Sequence, residues 1–154
     1  MNQSAIQAKA EMLIRRPVAE TFAAFIDPDL TTKFWFTKSS GPVEQGKQLH
    51  WEWEMYNAST PVTVQVVETN KRILIEWSGP DAPNRVEWVF TPLSDDSTFV
   101  SITNSGFHGD EASQFRQALD STEAFAMVLA GAKAWLEHGI YLNLVADRFP
   151  TGLA

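Results

Sequence analysis

Alternating apolar and polar residues dominate the first two thirds of the chain. In segment 49–55 every second residue is apolar, and the residues between them are His or Glu. This period of two indicates a strand with one buried and one solvated face. The same alternation recurs in five further segments, which are 5–14, 62–66, 73–77, 86–90 and 98–104. The pattern therefore predicts six strands, with a turn at Asn70-Lys71 and a loop over 79–84.

Two short helices are predicted between the first and second strands. Pro17 suits a helix start, and apolar residues follow it at the i, i+4, i+7 and i+8 spacing of an amphipathic helix, from Val18 to Ile26. Asp27 can end this helix and cap a second one, which begins near Pro28 and runs to about Phe36. The two helices would form an elbow.

The last third of the chain is predicted to be one long helix. Asp120, with Glu123 three residues later, resembles a capping box, and Pro150 would end the helix. Apolar residues follow at helical spacing, at Phe125, Leu129, Ala132, Leu136 and Ile140. Gly131 and Gly139 are unfavourable inside a helix, so they indicate either a close approach to another surface or a bend.

This order of elements predicts an α+β fold in a single domain, residues 1–154. A curved six-stranded antiparallel sheet would wrap around the long C-terminal helix, with the two short helices after the first strand closing one end. A highly curved sheet and one helix do not fill all the space between them. We therefore expect a cavity or cleft at this interface.

Composition narrows the classes of partner. The chain has 154 residues, no cysteine and a net charge of −7, and it has no cluster of basic residues larger than a pair such as Arg15-Arg16. An acidic chain without a basic patch is a poor binder of nucleic acid. The lack of cysteine excludes disulfides and thiolate metal sites and favours a reducing compartment. With no signal-like start and no apolar run of spanning length, the sequence predicts a cytoplasmic protein without membrane insertion.

No set of residues in the sequence points to catalysis, a metal or a cofactor. His50, His108 and His138 are dispersed and lack partners at metal-ligand spacing. A general base at His108 beside Asp110 is conceivable, but a polar loop explains both residues better. The chain also lacks the glycine-rich motifs of hydrolases, dinucleotide-binding proteins and nucleotide-binding loops. We therefore assign no catalytic, metal or cofactor residue.

The aromatic residues are the best candidates for a function. The chain holds six Trp and ten Phe, and four of the Trp lie on the apolar faces of predicted strands, where they form either core or pocket wall. Trp35 is predicted at the pocket mouth, and Asn104 either orients a ligand or satisfies nearby backbone. The candidate ligand-binding residues are Trp35, Trp51, Trp53, Met55, Val64, Val66, Trp77, Trp88, Phe90, Asn104, Phe125 and Leu129.

Five segments resemble a known family. They are DPDLTTKFWF (27–36), VEQGKQLHWEWEM (43–55), NKRILIEW (70–77), RVEWVFTPLSDDSTFVSITNSGF (85–107) and LAGAKAWLEHG (129–139). In this order they resemble the activator of heat-shock-protein-90 ATPase homologue family, within the START-related, Bet v 1-like (SRPBCC, polyketide cyclase/dehydrase) superfamily. The resemblance implies a helix-grip fold with an apolar cavity. Ala124-Phe125 replaces the Gly-Trp common in that family, and the N-terminal domain of chaperone-activating relatives is not seen in the sequence.

Three functions remain open. The first is non-catalytic binding of a small hydrophobic or amphipathic molecule between the sheet and the long helix. The second is a cyclase, dehydratase or hydrolase acting on a polyketide-like or aromatic substrate, which requires a titratable group facing the cavity. The third is an interaction module that contacts a chaperone or forms a homodimer, which requires an exposed apolar patch.

Overall fold

Seven strands of the chain form one curved antiparallel sheet. The computed structural model describes residues 6–78 and 82–150. The strands are β1 (Ala8–Ile14), β2 (Lys38–Ser39), β3 (Gln48–Trp53), β4 (Ala58–Glu68), β5 (Arg72–Ser78), β6 (Pro83–Ser94) and β7 (Ser97–Ser105). Their order across the sheet is β1-β7-β6-β5-β4-β3-β2. The strand beyond the predicted six is β2, whose two residues are too short to show any alternation.

Within the described residues, four α-helices accompany the sheet. They are α1 (Val18–Ile26), α2 (Pro28–Thr31), α3 (Glu111–His138) and α4 (Leu144–Asp147). Helices α1 and α2 form the predicted elbow, and the side chain of Asp27 caps α2 by accepting a 2.9 Å hydrogen bond from Asp29 N. Helix α2 ends well before the predicted Phe36. The α+β architecture, with a curved sheet around a long C-terminal helix, is the helix-grip fold.

The boundaries predicted for the long helix are both wrong. Helix α3 begins after Asp110, whose side chain accepts a 2.8 Å hydrogen bond from Ser113 N, so Asp120 lies in the helix interior. It ends at Gly139, which takes a left-handed conformation (φ 65°) and donates its N–H to Trp135 O. Glycine adopts this conformation without steric cost, which explains why it ends the helix far from Pro150.

The sheet tryptophans share the concave face. Trp51, Trp53, Trp77 and Trp88 each place their ring centroid 5.1 to 6.1 Å from that of Trp35, which follows α2. The alternation in the sequence therefore predicts the orientation of all four correctly. Because Trp35 reaches every one of them, it joins the elbow to the sheet.

Two predicted inward positions are wrong, for local reasons. A bulge in β4 between Val64 and Val66 shifts the alternation, so Val67 packs on the core and Val66 lies half-buried opposite Leu74. Met55 is 37% exposed because β3 ends at Trp53 and a turn of 3-10 helix follows.

Part of the predicted organisation falls at the limits of the described residues. Residues 79–81 of the predicted loop lie outside them, as does Ala5 of the first predicted strand. Pro83 and Asn84, which were predicted in the loop, belong to β6 and pair with Ser78 and Trp77 of β5. No helix in the described part of the chain is long and apolar enough to cross a membrane.

Candidate functional site

A large cavity lies where the first half of α3 faces the sheet. Its volume is about 710 Å³. Strands β5, β6 and β7 supply part of the wall, α3 supplies another part, and the residues after α4 close one side. The lining residues are Trp35, Trp77, Asn84, Asn104, Phe107, Gln117, Asp120, Ser121, Ala124, Phe125, Val128, Arg148 and Phe149.

A smaller lobe of about 280 Å³ adjoins the large one. Six residues line both, namely Trp35, Trp77, Ala124, Val128, Arg148 and Phe149. The small lobe adds mainly apolar side chains, namely Trp53, Tyr56, Ala58, Met127 and Val145. We refer to the two lobes together as the two-lobed cavity, because the shared residues make them neighbouring parts of one space.

Small side chains on α3 leave this space open. Gln117, Ser121, Ala124 and Val128 recur at spacings of four, three and four, which places them on one helix face. Ala124 carries only a methyl group, and Ser121 meets the sheet only with its hydroxyl, which hydrogen-bonds Asn104 Oδ1 on β7. The face of α3 that meets the concave sheet therefore leaves a cavity in its first half.

A buried polar network forms one end of the large lobe. Asn84 Oδ1 accepts hydrogen bonds from Trp77 Nε1 (2.7 Å) and Asn104 Nδ2 (2.6 Å), and Asn104 Nδ2 also donates to Arg85 O (2.7 Å). Ser121 Oγ donates to Asn104 Oδ1 at 2.8 Å. The Asn104 amide is thus occupied on both sides, so this residue positions its neighbours.

Asn84 presents a donor at the same end. Both hydrogen bonds to its side chain come from N–H donors, which identifies the accepting atom as the oxygen. Its Nδ2 group donates to no residue in the described part of the chain, and Asn84 lines the large lobe. A hydrogen-bond acceptor on a ligand can use this group. The network around Asn104 holds it in place.

The charged groups of the lining are Asp120 and Arg148. Arg148 forms an ion pair with the exposed Glu123, and its Cζ lies 4.2 Å from the Phe149 ring centroid. The hydrogen bond from Arg148 lowers the pKa of the Glu123 carboxyl below its ordinary value. The same hydrogen bond raises the pKa of Arg148, and the charge of Asp120 adds to this effect. Arg148 is therefore charged and held by carboxylates.

Five of the twelve predicted ligand-binding residues line the two-lobed cavity. These are Trp35, Trp53, Trp77, Asn104 and Phe125. Trp77 and Phe125 stack with their centroids 5.9 Å apart. Trp35 contacts Phe125 at 5.6 Å, so these three rings make one continuous aromatic wall. Their role in binding stays a prediction.

The other seven predicted residues lie elsewhere. Five are in the solid core, namely Trp51, Val64, Trp88, Phe90 and Leu129. Phe36 stacks on Trp51 at 4.6 Å, and Trp88 packs between Phe25 and Phe125. These neighbours take the room that a ligand would need. Met55 and Val66 are the two positions corrected above.

Sequence reasoning did not find several cavity residues. Arg148 and Phe149 reach the cavity only because α4 folds back, and Tyr56 holds that segment by donating to the carbonyl of Val145. No pattern in the sequence marks this return. The face formed by Gln117, Ser121 and Ala124 did carry a signal, since small residues recur there at helical spacing.

Within residues 6–78 and 82–150, no group of three or more His, Asp or Glu is arranged to hold a metal ion. His108, which precedes α3, has its Nε2 3.1 Å from Pro83 O. Its own carbonyl accepts from Gln117 Nε2 at 2.8 Å.

Solved structures share this fold. A protein from Staphylococcus saprophyticus is 29% identical, with a TM-score of 0.74 and coverage of 88% of this chain and 95% of that one. DynU16, from the dynemicin biosynthetic locus, is 18% identical with a TM-score of 0.77 over 90% of this chain and 49% of its own. The Aha1 dimer from Colwellia psychrerythraea is 18% identical, with a TM-score of 0.73 and coverage of 87% and 98%.

Sequence comparison assigns the family. No curated protein matches the chain significantly. A family model does match, over residues 15–129, and its description is Activator of Hsp90 ATPase homolog 1-like protein. That span begins directly after β1 and runs past the first half of α3, so it includes the other six strands and most of the cavity wall. The chain therefore belongs to the family of Activator of Hsp90 ATPase homolog 1-like proteins.

Proposed function

We propose that this protein binds a small hydrophobic or amphipathic molecule in the two-lobed cavity, without catalysis. The observation that carries the proposal is the cavity itself, with lobes of about 710 and 280 Å³. Small-molecule sites have volumes of about 300 to 1,000 Å³, mostly apolar walls and a few convergent polar groups. The cavity has each of these properties. A cytoplasmic location, favoured by the lack of cysteine, belongs to the same proposal.

The wall indicates how such a molecule would lie. The rings of Trp35, Trp77 and Phe125 offer flat apolar surfaces, which suit an aromatic or alicyclic body. The polar network at Asn84 and Asn104 is confined to one end of the large lobe. A ligand with an apolar body and one polar end matches this division.

A fluorescent probe tests the proposal. N-phenylnaphthylamine is apolar and uncharged, and its emission rises in an apolar site. Ala124 lines both lobes, and its side chain is exposed, so Ala124→Trp adds bulk to the cavity without displacing core residues. We expect the variant to bind the probe at least about tenfold more weakly, with an unchanged melting temperature.

Ala126→Trp is the matched control. Ala126 is exposed on the same helix and is absent from the lining of either lobe. It should bind the probe like the wild type. Equal affinity of the wild type and the Ala124→Trp variant, or no binding by the wild type, would rule out the proposed site.

A homodimer is a second candidate, which a different observation favours. Phe115 and Leu119, one turn apart on α3, are 55% and 68% exposed, and the Colwellia psychrerythraea relative is a dimer. Light scattering at several concentrations measures the mass directly. A dimer that is lost in the double variant Phe115→Ser, Leu119→Ser would place the interface on this face of α3.

A further inference from the structure

Few charged side chains line the two-lobed cavity, and the sign of the charge around them affects which ligands can bind. Among the side chains that line either lobe, Asp120 and Arg148 carry a charge at neutral pH. Asp120 is exposed and Arg148 is partly exposed, while the other lining side chains are uncharged. Whether the cavity binds an anionic group therefore depends on whether the positive charge of Arg148 is available to a ligand. This question rests on the proposed binding function.

Arg148 already has an ion-pair partner. One of its terminal nitrogens donates to Glu123 Oε1, and the Phe149 ring covers the guanidinium at 4.2 Å. Its Nε is buried and has no hydrogen-bond partner in the described part of the chain. The side chain as a whole is only 19% exposed. An incoming anion would have to compete with Glu123 for the same cation.

The local balance of charge is negative. Asp120 and Glu123 contribute two carboxylates around the single guanidinium of Arg148, and the whole chain carries −7. At an effective dielectric constant near 20, one uncompensated charge within several ångströms changes an ionic affinity by about tenfold or more. This field opposes the binding of an anion in the cavity.

The polar end offers only neutral groups. The Nδ2 group of Asn84 can donate, and the Ser121 hydroxyl, which donates to Asn104, keeps lone pairs that can accept. Neither group supplies the full charge that compensates a desolvated anion. An uncharged carbonyl, hydroxyl or phenol satisfies both groups without that cost.

We infer that the two-lobed cavity selects ligands with an uncharged, hydrogen-bonding head group and discriminates against anionic forms of the same scaffold. The carboxylates of Asp120 and Glu123 provide the discrimination, because they neutralise and outnumber Arg148. The amide of Asn84 provides the positive recognition. The ligand class is thus a neutral amphipathic molecule, and carboxylic acids and sulfonates are disfavoured.

Two probes with one scaffold test this inference. N-phenylnaphthylamine is neutral, and anilinonaphthalenesulfonate carries a sulfonate on the same rings. Each is titrated at low ionic strength into the wild type and into Ala124→Trp. Only the signal that Ala124→Trp removes is assigned to the cavity, which excludes dye bound elsewhere. We expect the neutral probe to bind at least about tenfold more tightly.

Glu123→Gln identifies the source of the discrimination. Glu123 is exposed and does not line the cavity, and its loss leaves Arg148 without its ion-pair partner. The sulfonate should bind about threefold or more tightly to this variant, while the neutral probe is unaffected. Glu20→Gln, which makes the same charge change on the remote helix α1, is the matched control.

The possible outcomes separate the two proposals. If the cavity binds the sulfonate as tightly as the neutral probe, or if Glu123→Gln and Glu20→Gln act alike, the charge inference is overturned and the binding function stands. If Ala124→Trp removes neither signal, the binding function fails and the inference fails with it. If Glu123→Gln reduces the difference in affinity between the neutral probe and the sulfonate, and Glu20→Gln does not, both proposals are supported.

Discussion

The two halves of helix α3 make opposite contacts with the same sheet. In the second half Leu129 and Ala132 are fully buried, and a Cβ placed on Gly131 would lie 3.1 Å from Phe34 Cβ. In the first half, small side chains such as Ala124 line the two-lobed cavity instead of filling it. One regular helix thus closes the core at one end and leaves it open at the other.

The elbow explains this difference. Phe34 and Trp35, which follow α2, pack under the second half of the helix and fill the space that the curved sheet leaves. Two hydrogen bonds also fix the second half of α3 to the chain at the end of β1. Arg16 Nε donates to Leu136 O at 2.7 Å, and Lys133 Nζ donates to Leu13 O at 2.8 Å. Stability should therefore reside mainly in the second half of α3, and binding in the first.

Gly131→Leu should produce the largest effect. Phe34 leaves no room for a Leu side chain, so overpacking should lower the free energy of unfolding by about 3 kcal/mol. A glycine at position 131 is compatible with either a close approach or a bend, and the short distance to Phe34 identifies it as a packing position. Chemical denaturation measures the change.

Ala124→Leu is the matched comparison, because it introduces the same side chain into the other half of α3. Its stability should change by less than about 1 kcal/mol, since its side chain is exposed to the cavity. Equal losses in the two variants would show that the halves do not differ in packing.

Replacing the Glu137 carboxylate, in the packed second half of α3, should have an intermediate effect on the free energy of unfolding. The Glu137 side chain is 8% exposed and accepts hydrogen bonds from Arg15 N (2.7 Å) and Lys133 Nζ (2.6 Å). Burial by itself would raise the pKa of Glu137, but these two donors outweigh it and hold the pKa below its ordinary value of 4.5. Glu137→Gln should cost about 1 to 2 kcal/mol at neutral pH.

The sign of the pH dependence follows from that lowered pKa. Glu137 contributes its full stabilisation above pH 4.5, the ordinary pKa, and loses it as the pH falls through the lower value of the folded state. The wild type should therefore lose its advantage over Glu137→Gln below pH 4.5. An advantage that stays constant from neutral to acid pH would show that the carboxylate is not paired in solution.

Leu119→Ser should give the smallest effect on a monomer. Leu119 is 68% exposed on the open half of α3, so its replacement should change the free energy of unfolding by no more than about 0.5 kcal/mol. The measurement is the melting temperature of the wild type and the variant over a series of protein concentrations. A larger, concentration-dependent loss would mean that a second copy covers this half of the helix.

The sheet was predictable wherever the alternation is uninterrupted. Trp51 and Trp53 show this, because a period of two directly encodes which face of a strand is buried. The prediction fails at Val66, since a bulge inserts one residue without any marker in the apolar pattern. It also fails at Met55, because alternation continues into a turn where the backbone has already left the sheet.

The start of α3 and the cavity were harder to predict. Phe115 and Leu119 are apolar but exposed, so the first half of the helix shows no regular buried stripe, although Asp110 was available as a cap. Arg148 lies on the cavity only because the chain after α3 folds back over it. Such a return depends on tertiary contacts, which one sequence does not display.

The aromatic arrangement around Trp35 also makes the protein optically distinctive. Its indole lies within 6.1 Å, centroid to centroid, of four other indoles, and the cluster extends from solid core to cavity wall. Indoles this close couple their electronic transitions, which produces intense near-ultraviolet circular dichroism and rapid transfer of excitation among them. A molecule that touches Trp35 or Trp77 would perturb the whole coupled set. Occupancy of the cavity can therefore be followed by the protein's own spectrum, with no label attached.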